Sequence, residues 1–141
     1  MGALALMLVN LGPTVAQAAP PGPQPYQLYG AGSCSVGSCT LTLTGIPSGK
    51  RLVIQHVSVS AVGNTGVQPY VWLSVSLANT QAFYFLEVTK YASALGQDYF
   101  RGNLQLLAFA DNTGPSHVTG GAVSGSMTGM SAAVSGYLEP L

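Results

Sequence analysis

The side chains able to do chemistry are few enough to take one at a time. The 141 residues include four acids (Glu87, Asp98, Asp111, Glu139), four cations (Lys50, Arg51, Lys90, Arg101) and two histidines (His56, His117). Glycoside hydrolysis needs two carboxylates facing each other across a cleft. Here Glu87 stands three residues before Lys90, a spacing that invites an ion pair, while Asp98 and Asp111 flank the segment from Tyr99 to Ala110 as turn residues. Nucleophilic catalysis needs a base beside an activated Ser or Cys. No G-x-S-x-G elbow is present, and Ser124-Gly125 and Ser135-Gly136 sit in small-residue contexts where such pairs serve turns and packing. A metal site would have to gather His56, His117 and Asp111 from distant parts of the chain. Asp111-Asn112-Thr113-Gly114 has the start of a calcium loop without its remaining acidic ligands. No phosphate-binding glycine motif precedes a helix. The expectation is a non-enzymatic protein with no catalytic residues, no metal and no cofactor; a hydrolase ranks third among the readings.

Cys34 and Cys39 are the only cysteines. In an oxidising compartment a pair this close forms a disulfide, and Ser35-Val36-Gly37-Ser38 can make the turn between them. So small a ring stabilises by about 2 kcal/mol on the chain-entropy account. The spacing is not C-x-x-C, which weakens a redox role. Disulfides between chains stay open as an alternative.

The remaining contact chemistry is aromatic. Tyr70 and Trp72 share one strand face, opposite Val71, Leu73, Val75 and Leu77, and Tyr84 is expected nearby. Such a group can stack on a sugar or anchor a protein partner. Alternatively, a second sheet or a loop covers it.

Composition narrows the partners. Apolar residues make up 48% and charged residues only 6%, against roughly 25% charged in an ordinary soluble domain. Net charge is zero, so copies repel one another little. Four cations matched by four acids build no basic patch, which argues against nucleic acid. No charged residue or histidine precedes Lys50, and between Asp111 and Glu139 only His117 can carry charge. Uncharged edges of this kind pair readily with other chains.

Residues Met1 to Ala19 read as a secretory signal. ALALMLV is too short to span a bilayer, and Ala16-Gln17-Ala18 supplies the small residues a signal peptidase reads, although no Lys or Arg stands near the start. The competing reading is an apolar strand or anchor kept in the mature chain. Residues 20–30, opening PPGPQPYQ, are expected as an extended proline-rich arm, either slack or reaching a neighbouring subunit. Residues 31–141 form one domain, with no membrane span in the mature form.

The elements that position these residues are strands. Cys39 to Thr44 alternates cleanly. In the stretch from Lys50 to Gly63 the alternation slips: Leu52 and Ile54 share one parity, Val57, Val59 and Ala61 the other. The change at Gln55-His56 implies a β-bulge or a strand passing between sheets, with His56 a structural residue there. Strands follow over Tyr70–Leu77, Phe83–Val88 and Asn103–Ala110. Tyr91 to Gln97 is the one expected helical turn. Two strands, about His117–Met127 and Ser131–Leu138, are expected as a last hairpin, rich in glycine and so closely approached by another sheet or subunit. The fold class is therefore all-β: a two-sheet antiparallel β-sandwich, jelly-roll-like, with an immunoglobulin-like sandwich second because the Cys…Trp…Cys spacing is absent.

The segment Pro47-Ser48-Gly49-Lys50-Arg51-Leu52-Val53-Ile54-Gln55-His56-Val57-Ser58, with LLAFADNTG later and Ser135-Gly136-Tyr137-Leu138 near the end, resembles a group of exported bacterial β-proteins of uncharacterised activity. They carry a P-x-G-K-R-L-V-I-x-H-V-S segment and a terminal S-G-Y-L; here Glu-Pro-Leu follows the SGYL. The resemblance implies a secreted jelly-roll-like domain and brings no activity with it. The functional expectation is a secreted, self-associating subunit of an extracellular or cell-surface assembly. The alternative is a secreted module binding a glycan or other ligand through Tyr70 and Trp72.

Overall fold

The computed structural model describes residues 22–35 and 37–141; the leader expected at residues 1–19, and Pro20 and Pro21 of the arm, lie outside the described residues. Among the described residues nine strands follow in order: β1 (Gln24–Ser33), β2 (Cys39–Leu43), β3 (Lys50–Asn64), β4 (Gln68–Leu77), β5 (Thr80–Leu86), β6 (Thr89–Ala94), β7 (Gln97–Ala110), β8 (Ser116–Ser124) and β9 (Met127–Pro140). They form a five-stranded sheet, order β1-β9-β3-β7-β6, and a four-stranded sheet, order β2-β8-β4-β5. Every pairing is antiparallel. Without β6, which is a hairpin extension of β7, the orders 1-9-3-7 and 2-8-4-5 are those of a jelly roll. An immunoglobulin-like order is not formed.

Alternation carries the core. Leu52, Ile54, Val57, Val59 and Ala61 of β3 face Val71, Leu73 and Val75 of β4, and all are buried. Each large aliphatic side chain removed from water in this way contributes about 1.5–3 kcal/mol. The expected phase slip is a bulge: the register of β3 shifts between Ile54 and His56 against both β7 and β9. Its neighbour must be glycine, because a Cβ on Gly136 would lie 1.8 Å from the Val53 carbonyl oxygen. The expectation of close backbone approach in the last strands holds at this position.

Three elements differ from expectation. The segment from Gln24 to Ser33 is extended, but it is a sheet strand paired along β9 from Gln24–Leu138 to Ser33–Gly129. Tyr91 to Gln97 is not helical: Leu95 and Gly96 both have positive φ (51° and 77°), the signature of a two-residue type I′ turn, so β6 folds back onto β7. The last two strands are not a hairpin, because β8 and β9 lie in different sheets. Cys34 and Cys39 pair within the chain, with Cα atoms 4.3 Å apart.

Candidate interaction site

The aromatic residues collect where β4 meets the edge strand β5. Register fixes the arrangement: Trp72 lies beside Phe85 on β5 and Thr119 on β8, and Tyr70 beside Gly121. The Tyr70 and Trp72 rings stack at 5.1 Å with planes 7° apart, and Phe85 meets Trp72 edge-on at 6.4 Å. Gly121 permits this, since a Cβ there would fall 2.4 Å from the Tyr70 hydroxyl. Because Tyr70 and Trp72 cover one ring face of each other, the open aromatic surface belongs to Phe85 and Phe83, which are 74% and 57% exposed. Tyr84 is not part of this group. It pairs with Leu73, points inward, and packs against the core.

Phe83 and Phe85 were not singled out by sequence reasoning. Residues 83–88 carry aromatics at consecutive positions, so alternation alone assigns no face; the Trp72–Phe85 pairing decides it.

β5 pairs with β4 alone, so its other edge is open among the described residues. Opposite it, β6 pairs with β7 only from Gln97 to Arg101, leaving the later part of β7 without a neighbour on that side among the described residues. Between the two open edges lies a cleft of about 360 Å³ lined by Val75, Leu77, Ala82, Tyr84 and Phe109. No charged residue occurs between Thr80 and Leu86.

Two buried carboxylates brace the turns at either end of β4. Asp98 accepts hydrogen bonds from the Gly66 amide (2.9 Å) and the Ser93 hydroxyl (2.6 Å), with the Lys90 ammonium 3.6 Å away. The Ser93 and then the Gly66 hydrogen bond hold its carboxyl below the usual carboxylate range, with Lys90 assisting. Asp111 accepts from the amides of Ala78 and Thr113, each at 2.9 Å, and from the Thr113 hydroxyl. Burial is the largest single influence on Asp111 and pushes its pKa up, but these hydrogen bonds together outweigh it and the net direction is down. Asp111 stands in the turn the sequence indicates, whereas Asp98 lies inside β7 and braces the β3–β4 turn from there. The expected Glu87–Lys90 pair is replaced by Lys90–Asp98, because β6 is a strand hydrogen-bonded to β7, with Ser93 beside Asp98.

The candidate metal ligands do not converge. His56 lies on the outer face of the five-stranded sheet, His117 on that of the four-stranded sheet, and Asp111 is occupied at the β4–β5 turn. Among the described residues no three His, Cys, Asp or Glu side chains group as a cation site. No helix there is long and apolar enough to cross a membrane.

No protein-family model and no curated protein matches this chain.

Proposed function

We propose that this protein works by contact rather than by catalysis, as an exported subunit that self-associates through the β5 edge. The observation that supports this best is the edge itself. It is a neutral strand of seven residues, with Phe83 and Phe85 exposed on one face and an apolar cleft opening beside the other. Edge strands normally carry devices against pairing, such as an inward charge, a proline or a bulge. The sequence Thr80-Gln81-Ala82-Phe83-Tyr84-Phe85-Leu86 contains no charge and no proline, and its register against β4 runs unbroken. The other edges differ: β6 carries Lys90 and a register shift, β1 carries Pro25, and β2 is short and bound by the disulfide.

Two copies of β5 meeting antiparallel about a two-fold axis continue the four-stranded sheet across the pair and bring both sets of phenylalanines onto one face. A zero net charge leaves little repulsion to oppose this. Export accounts for the disulfide and the leader-like N-terminus. Stacking of Tyr70 on Trp72 leaves less open ring surface for a sugar, so the same aromatics suit a protein partner better.

Light scattering coupled to size exclusion tests the proposal. The wild-type chain should elute as a dimer or larger species at micromolar concentration. Phe85→Lys should give a monomer with unchanged circular dichroism and a stability within about 0.5 kcal/mol of wild type, as for an exposed site. A monomeric wild type at high concentration, or an oligomer indifferent to Phe85→Lys, would overturn it.

A further inference from the structure

The outer face of the five-stranded sheet, remote from β5, carries a second concave surface. Register lays its residues in rows: Tyr29, Ala133, Ser58 and Asn103 across β1, β9, β3 and β7, and beside them Ala31, Ser131, Ser60 and Arg101. The two middle strands contribute only serines and an alanine to these rows, while the outer strands carry Tyr29 on one side and Arg101 with Asn103 on the other. The result is a sunken floor between raised walls, closed at one end by His56, with a volume of about 340 Å³.

Each part of the groove has a distinct chemistry. The floor offers the hydroxyls of Ser58, Ser60 and Ser131, which donate and accept. One wall is the Tyr29 ring, 73% exposed. The other wall is cationic. Arg101 stacks on the Tyr91 ring at 4.3 Å, which fixes the guanidinium without neutralising it. The ion pairs among the described residues are Arg51–Glu139 and Lys90–Asp98, so Arg101 keeps an uncompensated charge, and no acid lines the groove.

We infer that this groove binds an anionic saccharide, a hexuronate unit within a longer chain. The sugar ring's C–H face packs on Tyr29, its hydroxyls meet the serines and Asn103, and its carboxylate pairs with the Arg101 fork. An apolar ligand would strip water from the floor hydroxyls without replacing their hydrogen bonds. A neutral sugar would leave the guanidinium unmatched.

Isothermal titration of the full chain with tri-galacturonate, and with its neutral methyl ester as control, tests the inference. Binding should be confined to the acid form and should weaken between 0.05 and 0.5 M salt, these concentrations being roughly the span over which exposed charges become screened. Arg101→Gln should weaken it at least about tenfold, the loss expected for a charge-assisted hydrogen bond, and Arg101→Lys should restore part of it. Tyr29→Ala should also weaken it, whereas Val123→Ser, at an exposed position on the other sheet, should leave it unchanged. Circular dichroism establishes that each variant is folded. Absence of tri-galacturonate binding, equal binding of the methyl ester, or indifference to Arg101→Gln would each overturn the inference, whatever the oligomeric state of the chain.

Discussion

Gly136 shows how much one atom decides in this fold. The β3 bulge brings the Val53 carbonyl to the place where any other residue at 136 would carry its Cβ. Relief would have to come from backbone rather than from a side-chain tip. Gly136→Ala should therefore cost about 3 kcal/mol, the upper end of ordinary overpacking, read as a shift in the urea midpoint; a shift below about 1 kcal/mol would show that the bulge relaxes freely. The sequence announced the bulge through the parity change between Ile54 and Val57, and the glycine-rich end announced a close approach. It could not announce that these were the same contact, because only the β3–β9 register joins them. The side of β5 that Tyr84 takes was hidden for the matching reason: an aromatic within an aromatic run has no parity of its own, and it faces inward because it pairs with Leu73.

At the scale of elements, the β6–β7 hairpin was the least legible part. Ala92 to Leu95 suits a helix by composition, yet Leu95 and Gly96 turn in the left-handed region and the segment lies as a strand. Leu95 accepts this conformation while 99% exposed, so its side chain gains nothing from packing. Leu95→Asn creates the preferred Asn-Gly pair and should stabilise by about 1 kcal/mol, the cost of a left-handed residue with a large side chain. Thermal melts of the two proteins would check this, and a lower melting temperature for the variant would contradict the turn assignment. β2, β3 and β4 were legible because aliphatic residues alternate along each of them, broken only at the β3 bulge. β8 and β9 looked like partners because a run of Gly, Ser and Ala shows no face, and the chain between them crosses from one sheet to the other.

For the molecule as a whole, scarcity of charge sets the response to pH and salt. Asp98 and Asp111 both have carboxyls held below their ordinary value, so the folded chain binds fewer protons than the unfolded one as acid is added. Their stabilisation is complete above the unfolded carboxylate pKa of about 3.9 and is lost as pH falls through the lower folded values. The melting temperature should drop below about pH 4. A melting temperature that rises on acidification would contradict the hydrogen bonds assigned to both acids. The variant Asp111→Asn, which matches the side chain in shape but turns one accepting oxygen into an amide donor, should melt lower than wild type at pH 7 and lose part of that acid-side drop.

The placement of β9 has a consequence for how the chain comes into being. The strand formed from residues 127–140 sits between β1 and β3, so Gln24 finds its partner Leu138 only after every strand between them has been made. Until then β1 has no neighbour within its sheet, and contacts so distant along the chain close slowly. A nascent chain of this design cannot complete its five-stranded sheet until β9 has been made.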